Sequence, residues 1–381
     1  MFCARIPEKT KTAIRVDPVA VFSFLFFAEM KMSYPDTIRQ IIPADAEAAA
    51  RCRSRWNRIA KPLYGLGALE DLLVRVAAVQ GTEKIDIQKK ALVIFCADNG
   101  VVAEGVSQTG QETTAIVAEN FVDGRACASI LCRRAGVDLF PVDVGMAVDT
   151  SRVEKRKCRC GTSNMTEGPA MSRQEAVRTV EAGIAKAREL AKEGYRILAA
   201  GEMGIGNTTT SSAVASVLLG REPADMTGRG AGLSAEGLRK KVFAVRRAIS
   251  INRPDPADPV DVLAKVGGFD IAALTGLFLG GAACRVPVVI DGFISGVAAL
   301  LAVRMAPSCA AYMLPSHVSG EPGGRAVMQA LGLSPVLDAG MHLGEGAGAV
   351  TLFPLLDMAC DIYDHMDTFE EIHVGQYEDY A

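Results

Sequence analysis

The chain has 381 residues, 49% of them hydrophobic and 22% charged, a balance that excludes wholesale disorder and provides for a large buried core. Its 41 Lys and Arg against 44 Asp and Glu leave a net charge of −3, without the clustered positive charge that binding to nucleic acid requires. Mean hydropathy is +0.20 with 6% aromatic residues and 37 glycines, so the apolar content lies in small side chains that suit closely packed α/β layers.

In residues 1–32 the basic Arg5, Lys9, Lys11 and Arg15 precede an apolar run over 19–28, the order found in a signal peptide, but Asp17-Pro18 interrupts it and no small-residue cleavage site follows. The run is too short to span a bilayer. The segment reads as a leader or misassigned start, with Met30 or Met32 able to begin the chain; a targeting segment and an ordered N-terminal element are the alternatives. Residues 33–85 carry mainly helical patterning. Beyond them, apolar runs at 91–96, 137–142, 196–200, 286–290 and 309–314 each end in a polar or glycine-rich turn, as expected of strands. Between them a helix is predicted over 172–193, opened by a Ser172-x-x-Glu175 capping box, with Val177, Val180, Ile184, Ala187 and Ala191 on one face and a stop at Gly194.

This alternation predicts an α/β fold: a mostly parallel sheet with helices on both faces, Rossmann-like, spanning 86–339. The flanks, 33–85 and 340–375, are expected to form a smaller helical domain, and 376–381 a mobile tail. Ligands of such sheets bind at the carboxyl ends of the strands, where Asp98, Asp143, Glu202 and Asp291 are placed to converge. The ten cysteines lack the spacing of a disulfide scaffold and read as reduced thiols; Cys158-x-Cys160 without a second Cys or His pair reads as a turn, so no metal site is expected.

Four glycine-rich loops precede helices. Gly201-Glu-Met-Gly-Ile-Gly-Asn-Thr-Thr-Thr210 imitates the spacing of a Walker loop, but Asn207 stands where the lysine belongs, which favours one phosphate over a triphosphate. Thr227-Gly-Arg-Gly-Ala-Gly-Leu-Ser234 leads into a helix with Lys240 and Lys241, so Arg229 or Lys241 is positioned to supply the missing cation. In His317-Val-Ser-Gly-Glu-Pro-Gly-Gly324, Ser319 and Gly320 are candidate phosphate donors and His317 reads as a structural hydrogen bonder. In Leu343-Gly-Glu-Gly-Ala-Gly-Ala349, Glu345 stands at a helix N-terminus, which favours its ionised form and a role as base.

These loops, with Asp291-Gly-Phe-Ile294, Ala97-Asp-Asn-Gly-Val101, Gly105-Val-Ser107 and Gln111-Glu112, resemble the nicotinate-nucleotide–dimethylbenzimidazole phosphoribosyltransferases of the cobalamin lower-ligand pathway, from about residue 33 to about 366. Asn99 stands where the family often has His, and 61–67 reads Lys-Pro-Leu-Tyr-Gly-Leu-Gly where the family commonly has Lys-Pro-Pro-Gly-Ser-Leu-Gly. The resemblance implies transfer of phosphoribose from nicotinate mononucleotide to 5,6-dimethylbenzimidazole, giving α-ribazole 5′-phosphate and nicotinate with inversion at C1′. It implies Glu345 as general base and Glu202 as second acid, with Gly204, Gly206, Asn207, Thr208, Lys241, Asp291, Ser319 and Gly320 at phosphate and ribose. Ser107, Gln111, Met203, Met341 and Leu343 would line the slot for the aromatic base. It further implies a cytoplasmic homodimer acting on small molecules, without cofactor, nucleic acid or membrane. The rival readings are a related transferase with another acceptor base, a nucleotide-binding sensor of the same fold, and a metal-dependent phosphatase using Asp98, Asp143 and Asp291.

Overall fold

The computed structural model describes residues 33–378; the expected leader or misassigned start over 1–32, and 379–381 of the expected tail, lie outside the described residues. Helices α1 (Tyr34–Arg39), α2 (Ala46–Arg58) and α3 (Ala68–Gln80) come first, followed by strand β1 (Lys90–Ala97), helices α4 (Glu112–Val122) and α5 (Cys127–Ala135), strand β2 (Val137–Gly145) and the short β3 (Glu154–Lys155). Helix α6 (Arg173–Lys192) leads to β4 (Ile197–Met203), α7 (Asn207–Leu219), the single turn α8 (Pro223–Met226), α9 (Ala235–Asn252), α10 (Pro259–Val266) and α11 (Phe269–Ala283). Strand β5 (Val288–Ile290), α12 (Phe293–Met305), β6 (Met313–Pro315), α13 (Gly324–Leu331) and α14 (Ala347–His365) complete the order.

All strand pairings in the six-stranded sheet are parallel, in the order β3-β2-β1-β4-β5-β6. The chain builds outward from β1 through β2 to β3, then returns to the other side of β1 with β4 and continues through β5 to β6. The topological switch therefore falls between β1 and β4, where helices leave in opposite directions and a crevice opens at the carboxyl ends. Both faces of the sheet are apolar because both are covered. Ala91, Val93, Phe95, Leu198, Ala200, Val288 and Ile290 face one cluster with residues of α6, α7 and α9–α13. The alternate residues Leu92, Ile94, Cys96, Ile197, Ala199, Val289 and Leu314 face a second cluster with Trp56 of α2, Leu73 of α3, Phe121 of α4 and Phe353 of α14. The flanking helices thus share apolar surface with the sheet itself.

The five expected strands are present, with two corrections. The run at 286–290 pairs from Val288 onward, after Pro287. The run at 309–314 is a strand over its last residues only: Pro307–Tyr312 forms a 3-10 helix, opened by the fixed backbone of Pro307 and carried by the small Ser308, Ala310 and Ala311. The two-residue β3 is too short for any periodic signal. The capping box is present as read, Ser172 Oγ accepting from the Glu175 amide and Glu175 Oε2 from the Ser172 amide.

Helices α6 and α11 pack backbone to backbone through glycine. A Cβ on Gly276 would run into the Val180 carbonyl, and one on Gly183 into the Ala273 carbonyl. This contact sets the depth at which α11 enters the fold and hence where its first residues lie beneath the crevice. Gly276→Ala should lower the free energy of unfolding by about 1–3 kcal/mol through overpacking, against a helix-propensity gain of up to about 1 kcal/mol. Urea denaturation measures it, and a stabilised variant would contradict the packing argument.

Candidate active site

A cavity of about 1050 Å³ opens at the carboxyl ends of β4 and β5, beside the switch point. It is lined by the four glycine-rich loops: 202–208 after β4, 227–233 before α9, 317–322 after β6 and 340–345 before α14. Of the expected site residues, Ser107, Glu202, Met203, Gly204, Gly206, Asn207, Thr208, Lys241, Asp291, Ser319, Gly320, Met341, Leu343 and Glu345 all line it. Gln111 does not. It lines a neighbouring cleft of about 330 Å³ with Thr162 and Cys160, and its side chain donates to the Asn99 carbonyl at 3.2 Å.

The expected convergence of Asp98, Asp143, Glu202 and Asp291 is half realised. Glu202 and Asp291 line the cavity, whereas Asp98 and Asp143 are occupied with holding loops. Asp98 accepts from Thr114 Oγ1 at 2.6 Å and from the Ala147 amide at 2.8 Å; Asp143 accepts from the Gly145 and Met146 amides and pairs with Lys157 Nζ at 3.1 Å. Among the described residues no group of three or more His, Cys, Asp or Glu is arranged to hold a metal ion. The phosphatase reading built on Asp98, Asp143 and Asp291 therefore lacks its ligand cluster.

Asn207, the first residue of α7, is expected to hold phosphate, and its geometry gives it another task. Its backbone amide donates to the Gly204 carbonyl, and Nδ2 donates both to Glu202 Oε2 and, at 2.9 Å, to Asp270 Oδ2. With those donors committed, only the Asn207 carbonyl oxygen remains, and an acceptor does not bind phosphate. Asp270, in the first turn of α11, also accepts from the Ile271 amide at 3.0 Å. Burial and the nearby Asp270 charge push Glu202 up to about 8, and burial pushes Asp270 up to about 6. Sequence alone carries no sign of Asp270, because an acid opening a helix is indistinguishable from an ordinary partner of the helix dipole.

Asp291 is buried at the mouth of α14, accepting from the Gly348 and Ala349 amides at 2.7 and 3.1 Å. Burial raises it to about 7 despite those amides. His317 lies beside it, with Nδ1 3.2 Å from Ser316 Oγ and 3.9 Å from Asp291 Oδ1; burial lowers its pKa, in keeping with a structural role. Glu345 is half-buried and stands with Gly344 and Gly346 in three consecutive left-handed residues, φ 85°, 61° and 81°. A side chain at such a φ carries strain of order 1–3 kcal/mol. The turn aims its carboxylate away from α14, and Oε2 accepts from the Ala128 amide of α5 at 3.1 Å. The helix N-terminus that meets this carboxylate is therefore that of α5, not of the helix Glu345 precedes. Burial outweighs the amide and shifts the acid upward from its ordinary value, strengthening it as a base.

Of the two candidate cations, Arg229 is exposed and donates to the Leu233 carbonyl of its own loop. Lys241 is 1% exposed and places Nζ 2.8 Å from Thr208 Oγ1 and 3.1 Å from the Gly228 carbonyl. Burial depresses its pKa to about 8, so an anion bound there would be attracted and would hold it charged. Ser319 brings a hydroxyl to the same cavity, but the Gly320 amide is spent on the Met341 carbonyl at 2.9 Å, which leaves Gly320 as a close backbone wall and not a donor. Glu321 also lines the cavity, accepting from the Gly230 amide at 3.1 Å and so tying two glycine-rich loops together. Val106, Met203, Leu233, Phe293, Met341 and Leu343 supply apolar lining. Because Glu202, Asp270 and Asp291 bind protons more tightly folded than unfolded, their stabilisation is complete below the ordinary carboxylate range and is lost as pH rises to about 8. Urea midpoints should accordingly fall across that interval, and a rise would contradict the burial of these acids.

Comparison with known proteins places the chain in a family and agrees with its fold. A family model described as Phosphoribosyltransferase matches residues 41–374. Similar proteins include the nicotinate-nucleotide–dimethylbenzimidazole phosphoribosyltransferases of Ruminiclostridium cellulolyticum, 47% identical over 91% of this chain and 99% of that one, and of Acetivibrio thermocellus, 46% identical over 90% and 98%. The crystal structure of CobT from Thermus thermophilus superposes with a TM-score of 0.83 at 43% identity, covering 87% of this chain and all of the other. The chain belongs to the nicotinate-nucleotide–dimethylbenzimidazole phosphoribosyltransferase family.

Proposed function

We propose that the chain transfers phosphoribose from nicotinate mononucleotide to 5,6-dimethylbenzimidazole, releasing nicotinate and forming α-ribazole 5′-phosphate. The observation that carries this reading is one cavity that combines a buried Lys241–Thr208 cradle with two acids, Glu202 and Glu345, in a chain of this family. Lys241, Thr208 and Ser319 would hold the phosphate, and the ring of the acceptor would lie against Met203, Met341 and Leu343. A cradle with one buried ammonium suits a monophosphate better than a di- or triphosphate.

In the step itself, the unprotonated ring nitrogen of the benzimidazole attacks C1′ on the face opposite nicotinate. The bond from C1′ to the pyridine nitrogen breaks, and its electron pair returns to that nitrogen, so the leaving group departs neutral at nitrogen and no pyrophosphate charge has to be compensated. Attack from the opposite face converts the β donor into an α product. The second benzimidazole nitrogen then carries a proton that Glu345 accepts. A positioned base contributes about 10²–10⁴ in rate, and holding both rings in line contributes at least as much.

The test is an incubation of purified protein with nicotinate mononucleotide and a panel of bases in the presence of EDTA, with products read by mass spectrometry. Base-dependent nicotinate release with formation of the ribazole phosphate is expected. Binding without release would favour the sensor reading, and release driven by adenine or a phenol in preference to benzimidazoles would move the acceptor assignment. Glu345→Gln should lower kcat about 10²–10⁴-fold with little change in the KM for nicotinate mononucleotide. Turnover near that of the wild type in a folded variant would remove Glu345 from the role of base.

A further inference from the structure

The transfer step uses Glu345, places Glu202 in the cavity without a task, and assigns nothing to Asp270, a fully buried acid that lies outside the cavity and that no cation pairs with among the described residues. Two buried carboxylates joined by one amide nitrogen cannot both ionise without a large electrostatic cost, so the pair retains a proton. The surroundings decide which partner keeps it. Asp270 receives Asn207 Nδ2 and the Ile271 amide, and it sits in the first turn of the long helix α11, where the dipole favours negative charge. Glu202, at the end of β4, accepts only from Asn207 among the described residues and opens on the cavity.

The charged neighbours act in the same direction. Glu202 feels Asp270 from α11, Asp291 from the end of β5 and Glu345 from the loop before α14, while Asp270 feels Asp98 from the end of β1. Helix α7, which lies between the pair, contributes the uncharged Asn207.

We infer that Asp270 is a positioning residue: acting through the Asn207 amide, it keeps the negative charge of the pair on itself and the proton on Glu202, so that Glu202 meets the bound substrates as a hydrogen-bond donor. Of the acids that line the cavity, Glu202 then serves as the carboxylic acid and Glu345 as the carboxylate base, while Asp291 and Glu321 are engaged with backbone amides. This division of labour rests on the phosphoribosyl transfer proposed above; the coupling of the two buried acids does not.

Asp270→Asn removes the charge and keeps an oxygen for Asn207. The kcat of the wild type for base-dependent nicotinate release, read at saturating nicotinate mononucleotide so that the bound phosphate holds Lys241 charged, should fall above about pH 8 as Glu202 loses its proton; in Asp270→Asn the fall should begin about one pH unit lower or more, with the acid limb and the KM for nicotinate mononucleotide little changed. Glu202→Gln, whose amide still donates, should keep measurable turnover and lose the alkaline limb, and adding Asp270→Asn to it should shift the profile no further. Profiles of wild type and Asp270→Asn that superimpose after scaling, or a double variant that shifts again, would overturn the inference. Urea denaturation reads the coupling without turnover: Asp270→Asn should reduce the loss of stability between about pH 5 and pH 8 by more than an independent aspartate would, and a slope lowered by that one titration alone overturns it. Absence of nicotinate release by the wild type at every pH would instead defeat the parent reading and leave the denaturation series to decide the coupling. Should Asp270→Asn not fold, Glu202→Gln decides, because an alkaline limb retained in it contradicts a proton held on Glu202.

Discussion

The side-chain amide of Asn207 between the carboxylates of Glu202 and Asp270 is the constraint on which the site depends. It lies at the junction of three elements: the end of β4, the start of α7 and the first turn of α11. Buried acids of like charge destabilise a fold unless they are bridged and share a proton, and the amide supplies that bridge while closing the first turn after β4. The cost is tolerable because it is local. The rest of the sheet is apolar on both faces; Asp98 is held by Thr114 of α4 and the Ala147 amide, and Asp143 by the Gly145 and Met146 amides and Lys157.

The same crevice shows why glycine is abundant in this chain. At the α6–α11 contact, glycine lets two helix backbones touch and so sets the height of Asp270 under the cavity. At 344–346, a left-handed turn swings Glu345 away from its own helix and toward the amide of Ala128. In both places a backbone position fixes where an acid lies, and in neither does the glycine itself carry chemistry. Among the acids that line the cavity, Glu202 and Glu345 occupy different environments: Glu202 is buried among other carboxylates, whereas Glu345 is half-buried with an amide donor. Different environments allow one residue type to serve as acid and as base at one pH.

The sequence makes the parallel sheet legible because β1 and β4 are continuous apolar runs of strand length bounded by turn residues, and makes α6 legible through its capping box. It also places Thr208, Ser319 and Glu345 in glycine-rich segments and Lys241 on the helix that follows one, and the sheet brings all four to one cavity. What it does not convey is where hydrogen-bond donors are spent. Asn207 and Gly320 stand in loops of the right kind, yet their donors go to Glu202 and Asp270 and to the Met341 carbonyl, partners supplied by distant segments. Gln111 fails in a similar way: the 3-10 turn over Gly100–Glu104 and the Asn99 carbonyl draw it into the adjoining cleft. Asp270 was invisible because its meaning arises only when α11 is packed against the strand ends.

The most direct test of the central claim is to observe the Glu202 proton itself. Carbon-13 NMR of protein labelled at the glutamate carboxyl carbons, with Glu202→Gln to assign the resonance, would follow that carboxyl through a pH titration without substrate. The Glu202 signal should remain in the protonated position at neutral pH and titrate at about 8. A Glu202 carboxyl that titrates in the ordinary glutamate range, at about 4, would contradict a proton held by the pair.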